Sequence, residues 1–227
     1  MKGFDTTFTF QITSQSHTCA EYIGHMHSMK HHRSCVVHGG DGFAFVIHLD
    51  KESGTTAIGR DGQDLGYGGI INSIAVEFDT WTNVDTQGIN DIFHDHISIH
   101  SSSKLANSPG SHTALGHSRP IDLADGKIHT ARIQYLPFLE KEYLEYFTAN
   151  ENLLPYIKDN GEGRRLGTLA VFLDADSKVP SKPIIAVPLN LSILLNLPES
   201  LAWVGFTSST GKKFENHDIL SWRWKTI

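Results

Sequence analysis

The sequence predicts an all-β domain, a sandwich or barrel of short antiparallel strands. Phe4, Thr6, Phe8, Phe10 and Ile12 alternate with polar neighbours, the period-two mark of a strand with one buried face. Further apolar runs are short and are bounded by Gly, Asn, Asp and Pro turns, with no fixed repeat period. One segment departs from this pattern. Pro137 to Asp159 carries Leu139, Tyr143, Tyr146, Phe147, Leu153 and Leu154 at roughly helical spacing.

Along the chain, Phe4 to Ile12 is the first strand. Asp41 to Ile47 follows the Gly39-Gly40 turn signal, and Ser73 to Phe78 and His96 to His100 are the next two. Lys127 to Tyr135, Gly167 to Leu173, Ile184 to Leu189, Ala202 to Phe206 and Ile219 to Trp224 complete the expected set. The helical spacing after Pro137 predicts one or two short helices inserted between strands. No linker or composition shift divides the chain, so residues 1–227 read as one domain. A domain of this size buries roughly 70–75% of the surface of its unfolded chain and needs no staple.

Composition narrows the function classes. Of 227 residues, 39% are hydrophobic and 19% charged, which is globular rather than disordered or fibrous. The net charge is −6 and the 19 Lys and Arg are scattered, which argues against nucleic acid and against a polybasic membrane surface. Ile184 to Pro198 is uncharged, but it is too short and too broken by Pro188, Asn190 and Asn196 to span a bilayer, so no transmembrane segment is expected. Met1-Lys2-Gly3 runs straight into a strand, so no signal peptide is visible. Either the chain is cytosolic or its biological start lies elsewhere. Cys19 and Cys35 could close a loop worth about 3 kcal/mol in an oxidising compartment. In a reducing one they would be two thiols.

The chemistry concentrates in Glu77-Phe78-Asp79-Thr80-Trp81-Thr82-Asn83, followed by Asp91 and His96. Glu77, Asp79 and Trp81 are two apart, so they share one face of a strand. Adjacent carboxylates on one face repel and resist desolvation, and a bound cation is the usual remedy. Oxygen ligands suit Ca²⁺, and carboxylates with one imidazole suit Mn²⁺ or a similar metal.

This spacing resembles that of the L-type lectins, the family of the legume lectins and the mannose-binding cargo lectins of the secretory pathway. The resemblance implies a concanavalin-like jelly-roll sandwich of antiparallel sheets with a short helical insertion. It also implies a two-metal site. Asp79 and Asp91 would bridge the ions, Glu77 and His96 would complete a Mn²⁺-like site, and Asn83 with the Trp81 carbonyl would complete a Ca²⁺ site. Asp41, within Gly39-Gly40-Asp41-Gly42, matches the family's sugar-binding Asp, which follows a cis peptide bond and accepts from two sugar hydroxyls. Asn83 would turn its amide both to metal and to sugar, and Trp81 would stack on the sugar's C–H face. A backbone N–H is expected from the loop at Gly62 or Gln63. Gly211 and Lys212 fall in the loop where family specificity varies most. The run from Trp203 to Gly211 and from Asn216 to Trp222 matches the family's closing strands.

The partners implied are glycans or glycoproteins, with mannose, glucose or galactose type left open, as is a homo-oligomer. The implied location is the secretory-pathway lumen or outside the cell. Two departures stand out. Family domains carry strands ahead of the one matched by Phe4 to Ile12, so the chain reads as a domain lacking its N-terminal strands, with an exposed sheet edge. The segment of about 137–163 has no counterpart in legume lectins.

Other readings are weaker. A laminarinase-type glycoside hydrolase on a similar jelly roll needs a second Glu at position 81 or 82, which are Trp and Thr. A degenerate, non-sugar interaction module would differ by failing to bind metal. His25, His27, His31 and His32 are too loosely spaced for zinc and read as a solvated loop. Asn190-Leu191-Ser192 is a glycosylation sequon, relevant only after secretion.

Overall fold

The computed structural model describes residues 2–23, 31–83, 91, 95–148, 166–174, 182–197 and 201–227. Its twelve described strands are β1 (Phe4–Thr13), β2 (Ser16–Ile23), β3 (His31–His38), β4 (Gly42–His48), β5 (Ser73–Asp79), β6 (His96–His100), β7 (Ala114–His117), β8 (Ile128–Leu136), β9 (Gly167–Asp174), β10 (Ile185–Leu189), β11 (Trp203–Ser209) and β12 (Asn216–Thr226). Nine match the segments expected from the sequence to within a few residues.

Two five-stranded antiparallel sheets face each other, in the orders β10-β9-β8-β1-β12 and β11-β4-β5-β6-β7. The alternation read in β1 turns Phe4, Thr6, Phe8, Phe10 and Ile12 inward. Phe8 is fully buried and lies 4.9 Å from the Phe206 ring and 5.6 Å from Phe78, edge to face in both cases. Phe43 and Phe78 stack across β4 and β5 at 4.6 Å. Ile47, Val76, Ile97, Ile99, Ile133 and Val171 extend this core between the sheets.

Every residue of β4, β5 and β6 is buried, so both faces of that sheet are covered. The inner face meets the main core. On the outer face, Leu65, Tyr67 and Ile70 from the loop before β5 pack on Ala44, Val46 and Ala75. That loop converts an exposed sheet face into a dry one, and Glu77 and Asp79 project into it.

The structure departs from the sequence reading in three places, β2–β3, β7 and a helix after β10. Part of the histidine cluster read as a solvated loop belongs to a strand: β2 and β3 form a separate antiparallel pair in register from Ser16↔His38 to Ile23↔His31, joined by a Cys19–Cys35 disulfide. His31 and His32 therefore lie in a strand, while His25 and His27 fall outside the described residues. The short β7 was also not foreseen. The helical insertion is present as a 3-10 turn at Lys141–Tyr143 and α1 (Leu144–Thr148), and residues 149–165 fall outside the described residues. Phe147, Tyr143 and Tyr146 pack on Ala170, Phe172 and Ala186, which ties the insertion to the outer face of β9 and β10. A second short helix, α2 (Leu191–Leu194), follows β10 and is capped by the Asn190 side chain.

Among the described residues, β12 and β11 each pair on one side only. Trp222 and Trp224 on β12 are 45% and 38% exposed. No described helix is long and apolar enough to cross a membrane.

Removing the aromatic at the centre of the core tests this packing. Phe8→Ala should lower the unfolding free energy by about 3–5 kcal/mol, read as a lower urea midpoint at unchanged slope. A loss below about 1 kcal/mol would contradict the placement of Phe8.

Candidate functional site

Strand register assembles the acidic cluster. Pairing of β5 with β6 sets Asp79 opposite His96 and Glu77 opposite Ser98. Because side chains alternate, Glu77, Asp79, His96, Ser98 and His100 share the outer face. Glu77, Asp79 and His96 are each 5% exposed or less, and each offers a ligand atom within 4.8 Å of the others. Ligands around one divalent ion sit about 2.0–2.4 Å from it, hence about 3–4.5 Å apart, so this donor set fits a cation.

The surrounding hydrogen bonds fix Glu77 in place. Its Oε2 accepts from the Tyr67 hydroxyl at 2.6 Å, and its Oε1 accepts from Ser98 Oγ and lies 2.9 Å from His100 Nε2. His96 Nε2 stands 3.6 Å from the same oxygen, and His100 Nδ1 meets Thr113 Oγ1 at 2.9 Å. Burial opposes ionisation of Glu77, but His100 and His96 outweigh it and hold its carboxyl below the usual range. Asp79 goes the other way. Burial, then the charges of Glu77 and Asp91, push its pKa well up, although the Trp81 N–H donates to Oδ1 at 2.7 Å. Burial also raises Asp91, to about 6. Three carboxylates here lack enough positive charge.

Asp91 lies outside the group of ligand atoms that converge within 4.8 Å; it is bonded to Asn83, whose backbone N–H donates to Asp91 Oδ2 and whose C=O accepts from Asp91 N at 3.1 Å. Asn83 Nδ2 reaches Gln63 Oε1 at 3.5 Å. Gly62 begins the 3-10 turn Gly62–Asp64, and its C=O accepts from Ser209 Oγ.

Asp41 occupies the centre of these loops. Its N–H donates to Ser209 O at 3.1 Å, and its C=O accepts from Thr80 N at 3.1 Å, one residue past β5. The Gly40–Asp41 peptide is cis, as the resemblance implied. Gly42 follows at φ +127°, where a Cβ would stand 2.2 Å from Phe78 O, so only glycine admits this approach to β5. Asp41 is 9% exposed, and its Oδ2 is buried with no hydrogen-bond partner among the described residues. Burial, then the nearby Glu215 charge, raise its pKa. A Cβ at Gly211 would lie 3.3 Å from that same oxygen, so a side chain there would crowd it. Lys212 is exposed beside it, while Lys213 donates to Thr18 Oγ1 on β2.

Of the expected metal ligands, Glu77, Asp79 and His96 converge and Asp91 does not reach that group; Lys212 is the least engaged of the expected sugar-site residues. Sequence reasoning missed Tyr67, Ser98 and His100, which hold Glu77, and Thr113, which bonds the far nitrogen of His100. The continuation of period two from His96 through Ser98 to His100 was the available signal. It also missed Glu215, whose Oε1 accepts from Thr80 Oγ1 and lies 3.0 Å from His217 Nε2. Glu215 packs so closely on Gly39 that a Cβ there would meet its Oε2.

An antiparallel two-sheet sandwich with an acidic and histidine cluster beside a glycine-flanked Asp defines a recognisable class, and comparison with known proteins identifies it. The legume lectin domain family matches residues 1–227, and the chain belongs to that family. The probable L-type lectin-domain containing receptor kinase VII.2 of Arabidopsis thaliana is 33% identical over 190 residues, covering 81% of this chain. The chain spans only 23% of that relative's length. Among solved structures, basic winged bean lectin with Tn-antigen superposes with a TM-score of 0.56 at 23% identity, over 99% of this chain and 70% of that one. The VIP36 exoplasmic/lumenal domain in its Ca²⁺/Man3GlcNAc-bound form gives 0.55 at 15% identity, over 100% and 70%. These likenesses establish the legume-lectin jelly roll.

The raised carboxylates predict how cation binding depends on pH. A carboxyl whose folded pKa is raised stabilises the ion-free fold below its unfolded value, near 3.9, and that contribution is lost as pH rises through the folded value. For Asp91 the loss is centred near pH 6. Cations compete with those protons, so Mn²⁺ affinity measured by calorimetry should rise at least about tenfold from pH 5 to pH 7, with proton uptake by buffer. Equal affinity at both pH values would contradict the assignment.

Proposed function

We propose that this chain is a metal-dependent carbohydrate-binding domain without catalytic activity. The observation that carries the reading is the Asp41 carboxylate: buried, with an unpartnered oxygen, and bonded through its backbone to the loop that leaves the metal-binding strand. A buried acceptor with no donor is costly unless a ligand supplies one. Sugar hydroxyls are suitable donors.

In this reading Glu77, Asp79, Asp91 and His96 hold a Mn²⁺-like ion. Asp79, Asp91, the Trp81 carbonyl and the Asn83 side chain hold Ca²⁺. The ions supply the positive charge that keeps Asp79 and Asp91 ionised and fixes the 79–83 segment. Asp41 accepts from two hydroxyls, Asn83 Nδ2 donates to one of them, and the half-buried Trp81 offers an apolar face to the sugar's C–H groups. Gly62 or Gln63 supplies a backbone N–H, and Gly211 and Lys212 form the variable wall. A hydrolase on this scaffold would need a carboxylic acid where Trp81 or Thr82 stands. The Cys19–Cys35 bridge supports an oxidising compartment, the secretory lumen or the cell exterior.

Asp41→Asn separates sugar from metal. A charge-assisted hydrogen bond contributes roughly 1.5–3 kcal/mol, against about 4 kcal/mol for a 1 mM monosaccharide complex. The variant should therefore lose detectable glycan binding in titration while its metal content stays at the parent value. Asp79→Asn should lose both. Sugar binding by Asp41→Asn at the parent affinity would place the site elsewhere.

A further inference from the structure

The β2–β3 pair has a face that the proposed sugar site does not yet use. In its register Ser16 opposes His38 and Thr18 opposes Val36, so Ser16, Thr18, Val36 and His38 share one face. The disulfide joins Cys19 and Cys35, which lie on the other face with His17 and Val37. The first face is bonded to the sugar-site loops at three places. Ser16 N donates to Phe214 O at 2.9 Å, and Phe214 N donates back to Ser16 Oγ at 3.3 Å. Thr18 Oγ1 accepts from Lys213 Nζ, in the same loop as Gly211. The His38 ring meets the Trp81 ring nearly at right angles, with centroids 6.0 Å apart.

We propose that the β2–β3 pair is a second wall of the glycan site, and that it holds the sugar residue next to the one bound at Asp41. This rests on the carbohydrate-binding reading and extends it from a monosaccharide to an oligosaccharide. The argument is chemical as well as positional. Past the Trp81–His38 corner, the face presents an imidazole, a hydroxyl and Val36, which is 50% exposed. A pyranose offers the complementary mixture of hydroxyl edges and apolar C–H patches. An exposed two-stranded ribbon is marginal on its own, and here the disulfide and the contacts to Phe214, Lys213 and Trp81 fix it against the site. A pre-fixed wall loses little freedom when the ligand docks, which favours affinity.

The test compares methyl glycosides of mannose, glucose and galactose with di- and trisaccharides of whichever series binds, all in Ca²⁺ and Mn²⁺. Parent protein should bind the oligosaccharide more tightly than the methyl glycoside. His38→Ala should weaken the oligosaccharide by roughly three- to tenfold, the range of one aromatic contact, and change the methyl glycoside by less than about twofold. The Cys19→Ser, Cys35→Ser double variant, with melting temperature measured alongside, should act in the same direction. Equal losses for both ligands would mean that the pair only supports the Asp41 site, and unchanged oligosaccharide binding in both variants would remove it from recognition; either result overturns the proposal. If parent protein binds none of these sugars, the carbohydrate reading itself fails and the second wall falls with it.

Discussion

Glu77 and Asp79 enter a face of β5 that Tyr67, Leu65 and Ile70 keep dry, and the charge of Asp91, bonded to the Asn83 backbone, adds to theirs. Like charges in such surroundings cannot all remain ionised without a compensating cation, and the opposite movements of the Glu77 and Asp79 pKa values express that conflict. Much of the functional end of the molecule depends on how it is resolved. The segment after β5 carries Thr80, Trp81 and Asn83, and Thr80 N is bonded to Asp41. Charge neutralised at Asp79 is thus one backbone step from the residue proposed to take the sugar.

The parts of the fold that were legible in the sequence are those whose side chains divide between core and solvent. β1 declares itself because each second residue is buried, and β4 and β5 because both of their faces are. β2 and β3 left no such trace. Ser16 is buried, but His17, Thr18, Val36, Val37 and His38 are all exposed, so no apolar period marks the pair. Its structure comes from cross-strand pairing and a disulfide, and neither is local in sequence. The short β7 failed for a related reason, since four residues with half-buried faces carry too little pattern.

The metal candidates were legible for a different reason. Glu77 and Asp79 fall two apart on β5, and His96 lies opposite Asp79 in the neighbouring strand's register, whereas Trp81, expected on the same strand face, lies two residues past the end of β5. The residues around Glu77 were not, because Tyr67, which donates to it, arrives from a covering loop, and Thr113, which bonds His100, comes from beyond β6. Glu215 is more remote still. It lies 135 residues from Thr80, whose hydroxyl it accepts, and only the folded chain shows that its carboxylate is wedged against Gly39. Packing of this kind explains Gly39 better than turn propensity does, since the space a Cβ would need is already filled.

The most direct test of this account is thermal unfolding of the protein stripped of metal by exhaustive chelation, beside the same protein reloaded with Mn²⁺ and Ca²⁺. An ion bound only by the folded state stabilises by mass action, about 4 kcal/mol at a thousandfold excess over its dissociation constant. The account predicts a melting temperature several degrees lower in the stripped protein, restored on reloading. Identical melting curves, with metal analysis showing that the reloaded protein has taken up no ion, would contradict the claim that the buried carboxylates are held together by cations.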